Sequence, residues 1–590
     1  FPQSISFYNL IPQGMETLFA LAYAVGGDSS AKLLHLTFLG ATVLLMQWMA
    51  SRFGDPHSGW CAGALYALTP VVGMSATCAF NDAAVTCYVL AAFAVVAEWW
   101  RNREDWLLMV AGVCAGFCYA IKFTGGIVAP VAVLLIAVRA RRIRPIGLFV
   151  AGALAMSLPW VARAWVLTGN PFAPLLNRFF PNPYFRIESE QALGQYLRSY
   201  GDVEWSSIGQ ELTLYGDLLQ GVLGPVWLLA PLGLLALRKR EGRLLLGAGA
   251  VAAIPWTLNV GVRFLMPALP FAALAWIHAM PRAARVALVI LHAVLSWPPV
   301  LERYTPPGNW ALIGELPWRA ALRLESNEQY LARRTDDWNI AEMVHKHTAS
   351  QDRILDLAGA PAAITPRALF NAWQTAAGEN MVKVLQTGAI PDRGWMVEWR
   401  SRFPEIAVDA IRVEFQSSQV MSTGLHEIRL LRADGTALKP DALWTIEAEP
   451  NIWESPMALD RSLVTSWWTW EPVRVGMFYQ VEMPARERIA QVRIVGHRSA
   501  ASLLLSLQAR SGTWQELALD KPVARPGLNL RHEAIAYLRS QKVTHVLAVS
   551  GMDGFGLLSQ DLIDRRNDWQ LRLIANHKGV ALLKIAEPAP

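Results

Sequence analysis

The chain has 590 residues, 53% of them hydrophobic and only 17% charged, with 25 Trp and a net charge of +6. That balance is too apolar for an ordinary water-soluble chain of this length. Much of the positive charge in the apolar half lies in short loops between apolar runs, so it reads as membrane topology rather than as a surface for nucleic acid.

No signal peptide is visible from Phe1 to Asn9, and the protein is expected to continue upstream of Phe1. Residues 11–25 form an amphipathic stretch with Glu16 on its polar side, suited to a helix lying along the membrane interface. Apolar runs follow at 31–53, 58–77, 83–100, 106–120, 124–138, 145–167, 218–237, 244–259, 264–280 and 284–297. With their flanks they predict about ten spanning helices. The five Cys lie in this half, the last two as Cys114 and Cys118 at helical i,i+4 spacing, which suits packing between helices better than a metal site. The rest of the chain has neither a disulfide framework nor a cysteine zinc site.

Numbered alternately, the loops separate by charge. One set holds Arg52, Arg101, Arg103, the 139–144 cluster, the 238–243 cluster, Arg282 and Arg285, whereas the short loops of the other set hold only Lys122 and Arg263. The positive-inside bias assigns the first set to the cytoplasm. Asp82, Lys122, the 168–217 loop, Arg263 and everything after Pro299 then face outside.

Asp82 interrupts two apolar runs, and an ionisable group at that depth is a functional-site candidate; Asn81-Asp82 ahead of an apolar run also reads as a helix start. Lys122 and Arg263 share its face, where each suits a phosphate or an interfacial anchor. Arg163, near the end of its helix, is a further candidate for binding a headgroup. A carboxylate beside separated cations at the outer leaflet suits transfer from a phosphate-bearing lipid. The cations hold the phosphate, and the carboxylate acts as base or orients the acceptor or a divalent metal ion. No motif demands a cofactor, and neither a dinucleotide fingerprint nor a Walker loop occurs.

Beyond residue 300 the pattern is globular. A helix at 337–346, a strand at 353–357, a helix at 532–540 and strands at 543–549 and 579–585 predict an α/β domain built from 301–407 and 523–590. Short alternating segments across 408–522 predict an inserted β-sandwich. The cluster Trp467-Trp468-Thr469-Trp470 reads either as core or as a platform for stacking a sugar ring.

The run Pro12-Gln13-Gly14-Met15-Glu16, His35, Phe80-Asn81-Asp82-Ala83, Ile121-Lys122-Phe123, Thr168-Gly169-Asn170-Pro171 and Arg263-Phe264-Leu265-Met266-Pro267 resembles the bacterial polytopic GT-C glycosyltransferases, a group that includes protein mannosyltransferase-like, aminoarabinose-transferase-like and rhizobial lipopolysaccharide-core transferase-like enzymes. The resemblance covers roughly residues 1–300. It implies a polyprenyl-phosphate sugar donor and an inverting transfer, outside the cytoplasm of a bacterial plasma membrane, to a lipid, glycan or protein acceptor. It also implies a leading catalytic acid upstream of Phe1, with Asp82 as a second carboxylate and Lys122 and Arg263 as phosphate contacts; Glu16 is a further catalytic candidate, and Asn170 and Arg163 are further substrate-binding candidates. The segment from Ala458 to Glu482, with Asp460 and Trp467, resembles the discoidin-like, coagulation-factor type C jelly rolls, departing from them at Arg461 and Glu482. The alternative function is a non-catalytic, membrane-anchored glycan-binding or envelope-assembly protein.

Overall fold

The computed structural model describes residues 5–140, 142–200, 203–216, 218–303, 318–389, 396–525, 528–550 and 556–587. The chain divides into two compact units. A helical unit comprises Asn9–Leu176 and Ala192–Tyr330, and a sheet-bearing unit comprises Leu331–Pro590 with Phe1–Tyr8 and Asn177–Gln191. Part of the expected 168–217 external loop therefore belongs to the sheet-bearing unit.

Among the described residues of the helical unit, four helices are long and apolar enough to cross a membrane: Gly14–Arg52, Asp82–Asn102, Arg144–Thr168 and Val262–Ala279. Shorter apolar helices occupy Trp106–Ile121, Phe123–Arg139 and Pro225–Arg238. The first long helix breaks at Gly26 and Gly27, where φ is +67° at Gly27, a value glycine adopts without the steric penalty of a Cβ. That break separates the amphipathic stretch from the apolar run that follows it. The expected span at 58–77 is instead two helices, Pro56–Ala67 and Pro70–Thr77. Pro70 lacks an N–H and restricts Thr69 to extended backbone, so the first helix cannot run through it. Asp55 starts the Pro56 helix by accepting from the Ser58 N–H at 3.3 Å.

The Trp106–Ile121 and Arg144–Thr168 helices meet through small residues. A Cβ on Gly112 would collide with the Phe149 carbonyl oxygen, and one on Gly116 with that of Ala153. Close backbone approach of this kind is how helices pack where lipid removes the hydrophobic drive. The charged ends of the unit pair locally: Arg52 with Glu98, and Arg285 with Asp55 at 2.7 Å.

The sheet-bearing unit has two cores. Strands β1 (Arg353–Asp356), β2 (Ala368–Asn371), β11 (His545–Val549), β12 (Leu571–His577) and β13 (Val580–Ile585) form a sheet in the order β12-β13-β11-β1-β2, parallel at β11-β1-β2 and antiparallel elsewhere. Helices Ala376–Ala389 and Arg531–Ser540 contribute Val384, Leu385, Ile535 and Leu538 to the same buried core.

Between β2 and β11 lie the other strands. Two 20-residue strands, β3 (Met396–Phe415) and β7 (Phe478–His497), pair along their length, with register shifts between Arg402 and Ile406 and between Val408 and Ala410. On one side of these irregularities the pair is flanked by β4 (Gly424–Leu431), β6 (Trp467–Trp468) and β10 (Val523–Arg525). On the other it is flanked by β5 (Thr445–Glu449), β8 (Leu505–Ser511) and β9 (Thr513–Leu517). Trp399, Ile428 and Ile494 from the first set and Val413, Val481 and Leu507 from the second share one buried core. Its first strand begins at Met396, earlier than the expected insertion at 408.

Segment 177–191 is locked into this unit by Arg186, which is 1% exposed. Its guanidinium lies 2.7 Å from Glu454, 3.4 Å from Glu379 and 3.9 Å from Glu188. Glu188 also pairs with Lys383 at 3.2 Å and accepts from the Ser422 hydroxyl. Burial would raise the Glu188 carboxyl, but Lys383, Ser422 and Arg186 together hold it below the usual range.

Two outcomes follow from this packing. Arg186→Ala removes the buried counter-charge from Glu379 and Glu454 and should destabilise the sheet-bearing unit by about 3–5 kcal/mol, seen as an earlier proteolytic opening of that unit in denaturant. Gly116→Leu should lower the unfolding temperature of the detergent-solubilised protein, with a loss of about 2 kcal/mol or more, whereas Gly147→Leu, which meets open space, should not.

Candidate functional site

Asp82 is the first residue of the Asp82–Asn102 helix, where a carboxylate opposes the positive end of the helix dipole. Its side chain does not cap the helix. It turns to Lys122, the residue that ends the Trp106–Ile121 helix, and Lys122 Nζ donates to Asp82 Oδ1 at 2.6 Å. Asp82 is 2% exposed, and among the described residues its Oδ2 has no hydrogen-bond partner. The helix start is held by two neutral contacts: Asn81 Nδ2 donates to the Ile121 carbonyl at 3.3 Å, and the Ala83 N–H donates to His35 Nε2 at 3.2 Å. His35 Nδ1 lies 2.7 Å from the Cys78 carbonyl, so the ring carries its proton on Nδ1 and leaves Nε2 as the acceptor.

Arg263 reaches the same place from the segment Val262–Ala268. Its guanidinium lies 5.0 Å from the Phe80 ring and 5.1 Å from the Phe264 ring, close enough for a charge interaction with Asp82. Lys122 Nζ sits 3.9 Å from the Phe264 ring centroid. Phe264 thus presents its aromatic surface to both cations, a favourable contact where water is scarce. Glu16 hydrogen-bonds the Asn81 side chain and interacts electrostatically with Lys122.

The tertiary structure therefore brings Glu16, Asp82, Lys122 and Arg263 together, as the loop charges required for the last three. His35, Asn81 and Phe264 complete the group. His35 and Asn81 both stand in the motifs named above, but the sequence attached no site role to either.

A narrow cleft of about 20 Å³ lies beside this group, with Asp82, Lys122 and Phe264 at one end and Val85, Val89, Phe93 and Val128 among its walls. Val85, Val89 and Phe93 are spaced along one face of the Asp82 helix and carry the apolar wall about 16 Å from the carboxylate. The cleft has one charged end and an apolar length. The charged end presents Asp82 and Lys122, with Arg263 and Glu16 close enough to interact with them, a balanced set of charges that does not suit a divalent metal ion. Among the described residues no group of three His, Cys, Asp or Glu is placed to hold a metal.

The other expected site residues lie elsewhere. Arg163 Nη1 donates to the Asn9 carbonyl at 2.6 Å, holding the chain ahead of the first helix. Asn170 builds its own turn, donating to the Leu175 carbonyl at 2.8 Å and accepting from the Phe172 N–H at 2.9 Å. Their hydrogen bonds serve backbone geometry. Trp467, Trp468 and Trp470 are 0%, 9% and 4% exposed, so the expected sugar platform is corrected to core. Their indole N–H groups are spent on the Asn451 carbonyl, the Ser466 hydroxyl and Glu454, respectively. Lys383 covers the Trp468 ring at 3.6 Å, and Trp453 stacks on Trp470 at 5.3 Å. No face of these rings is left for a ligand.

Residues 14–165 match the family described as dolichyl-phosphate-mannose-protein mannosyltransferase. The matched stretch contains Glu16, His35, Asp82 and Lys122 and ends before Arg263. No curated protein matches the sequence. Among solved structures, the cryo-electron-microscopy structure of the arabinofuranosyltransferase AftD from mycobacteria is similar over 88% of this chain and 56% of its own, at 10% identity and a TM-score of 0.36. The chain spans little more than half the length of that enzyme.

The buried pair has a measurable signature. Lys122→Met leaves Asp82 without its counter-charge and should destabilise the helical unit by about 3–5 kcal/mol. Adding Asp82→Asn should recover most of that loss, and thermal unfolding of both single variants and the double in detergent would show simple additivity if the two residues were uncoupled.

Proposed function

We propose that this protein is an integral-membrane glycosyltransferase that takes its sugar from a polyprenyl-phosphate donor at the outer face of a bacterial plasma membrane. The observation that carries this reading is the buried charge group. Lys122 and Arg263 beside Asp82 suit a sugar phosphate, and the apolar wall through Val85, Val89 and Phe93 suits the hydrocarbon chain attached to it once the narrow cleft widens. The mannosyltransferase-family match over 14–165 supports the same reaction class.

In this reading Lys122 and Arg263 bind the donor phosphate and stabilise the charge that grows on it as the glycosidic bond breaks. A phosphate between them competes with Asp82 for Lys122, and that competition frees the carboxylate. Asp82 then accepts a hydrogen bond, and finally the proton, from an acceptor hydroxyl approaching the sugar from the side opposite the phosphate. Such a single displacement inverts the anomeric centre. Glu16, through Asn81, holds the outer end of the site. The acceptor is a lipid, glycan or protein of the cell envelope, and the sheet-bearing unit lies outside the cytoplasm.

Asp82→Asn in the full-length protein keeps the shape of the site and removes the base. Transfer of radiolabelled sugar from polyprenyl phosphate in membranes should fall by about 10²–10⁴-fold with donor binding retained. Unchanged turnover would overturn the assignment of Asp82.

A further inference from the structure

The Asp82–Asn102 helix starts without the side-chain cap that such a start ordinarily has. Asn81 is its N-cap residue, but its backbone angles of φ −116° and ψ 1° lie outside the extended region from which a cap side chain reaches the first free N–H groups, and it makes no such bond. Its amide donates to the Ile121 carbonyl instead. Asp82, next in the chain, is engaged by Lys122. Ala83 is fully buried, so its N–H cannot turn to water. The acceptor comes from 48 residues away: His35 Nε2, at 3.2 Å.

His35 can accept there only in one protonation state. Its Nδ1 lies 2.7 Å from the Cys78 carbonyl, an oxygen that accepts and never donates, so Nδ1 keeps the proton and Nε2 keeps the lone pair. The ring is 0% exposed and meets the Phe19 ring at 77°, with centroids 5.8 Å apart. His35 follows the break at Gly26 and Gly27, and Cys78 ends the Pro70–Thr77 helix. The imidazole therefore joins three helices at the point where Asp82 begins its own.

We propose that His35 is a positioning residue for sugar transfer: by satisfying the Ala83 N–H it keeps the Asp82 carboxylate turned to Lys122 and available as the base. An orphaned N–H at that depth costs as much as a lost hydrogen bond, and the nearest acceptor along the chain is Asp82 itself. A carboxylate drawn onto the backbone leaves Lys122 unpaired and lies out of line with an acceptor hydroxyl. The catalytic part of this role rests on Asp82 acting as the base; the structural part does not.

Two amides separate the two halves of the imidazole. His35→Gln sets an acceptor near the position of Nε2 and keeps the Ala83 bond, whereas His35→Asn sets a donor near Nδ1, keeps the Cys78 bond and loses Ala83. In membranes supplied with polyprenyl-phosphate sugar, His35→Gln should hold kcat within about threefold of the wild type, and His35→Asn should lower it about 10²-fold with no rise in the donor KM. Thermal unfolding in detergent needs no turnover. Lys122→Met and Asp82→Asn, coupled in the wild-type and His35→Gln backgrounds, should become additive in the His35→Asn background. Equal kcat for the two His35 variants, a His35→Asn loss that comes only with failure to fold, or coupling that survives in the His35→Asn background would overturn the proposal. Unchanged turnover in Asp82→Asn, with the coupling lost as expected, would instead remove Asp82 as the base and leave His35 as the residue that places it.

Discussion

The ion pair between Asp82 and Lys122 is the constraint on which the helical unit turns. Two charges removed from water among apolar helices are tolerable only when they meet, and 2.6 Å is contact. One partner begins a helix and the other ends the next, so the pair ties an N-terminus to a C-terminus at one end of the unit. Asn81 and His35 tie the same end with neutral hydrogen bonds, which satisfy backbone groups that a helix terminus leaves open. Phe264 and Arg263 close over it. The opposite end is organised separately by Arg52 with Glu98 and Arg285 with Asp55.

That arrangement also explains why a phosphate fits the proposed chemistry. Asp82 neutralises Lys122, and among the described residues Arg263 has no carboxylate hydrogen bond of its own. In the proposed function an incoming phosphate supplies that negative charge and takes over Lys122. The apolar wall beside the pair belongs to the same helix as Asp82, so one rigid element carries both the charged and the apolar part of the proposed site.

The sheet-bearing unit solves a similar problem with the signs reversed. Arg186 is the buried cation, and Glu188, Glu379 and Glu454 surround it. This network fixes segment 177–191 as part of that unit, although the chain on either side of it belongs to the helical one. It also accounts for the tryptophans, since Glu454 binds the Trp470 indole while Lys383, the partner of Glu188, covers Trp468. Aromatic residues that composition alone offers as a ligand platform are instead used to shield charge.

The sequence by itself determined the apolar helical first half, the sheet-rich second half, and that Asp82, Lys122 and Arg263 stand at breaks between apolar runs. These are local or one-dimensional properties: hydropathy, loop charge and alternation survive without knowledge of neighbours. The break at Pro70 was equally local, yet the apolar run masked it. Only the tertiary structure decided that Asp82 pairs with Lys122 rather than capping its helix, that Glu16 and His35 join it, that Arg163 and Asn170 serve the backbone, and that Trp467, Trp468 and Trp470 are core. Each of those outcomes depends on which distant groups compete for a side chain. Burial, unlike hydropathy, is a property of the whole fold.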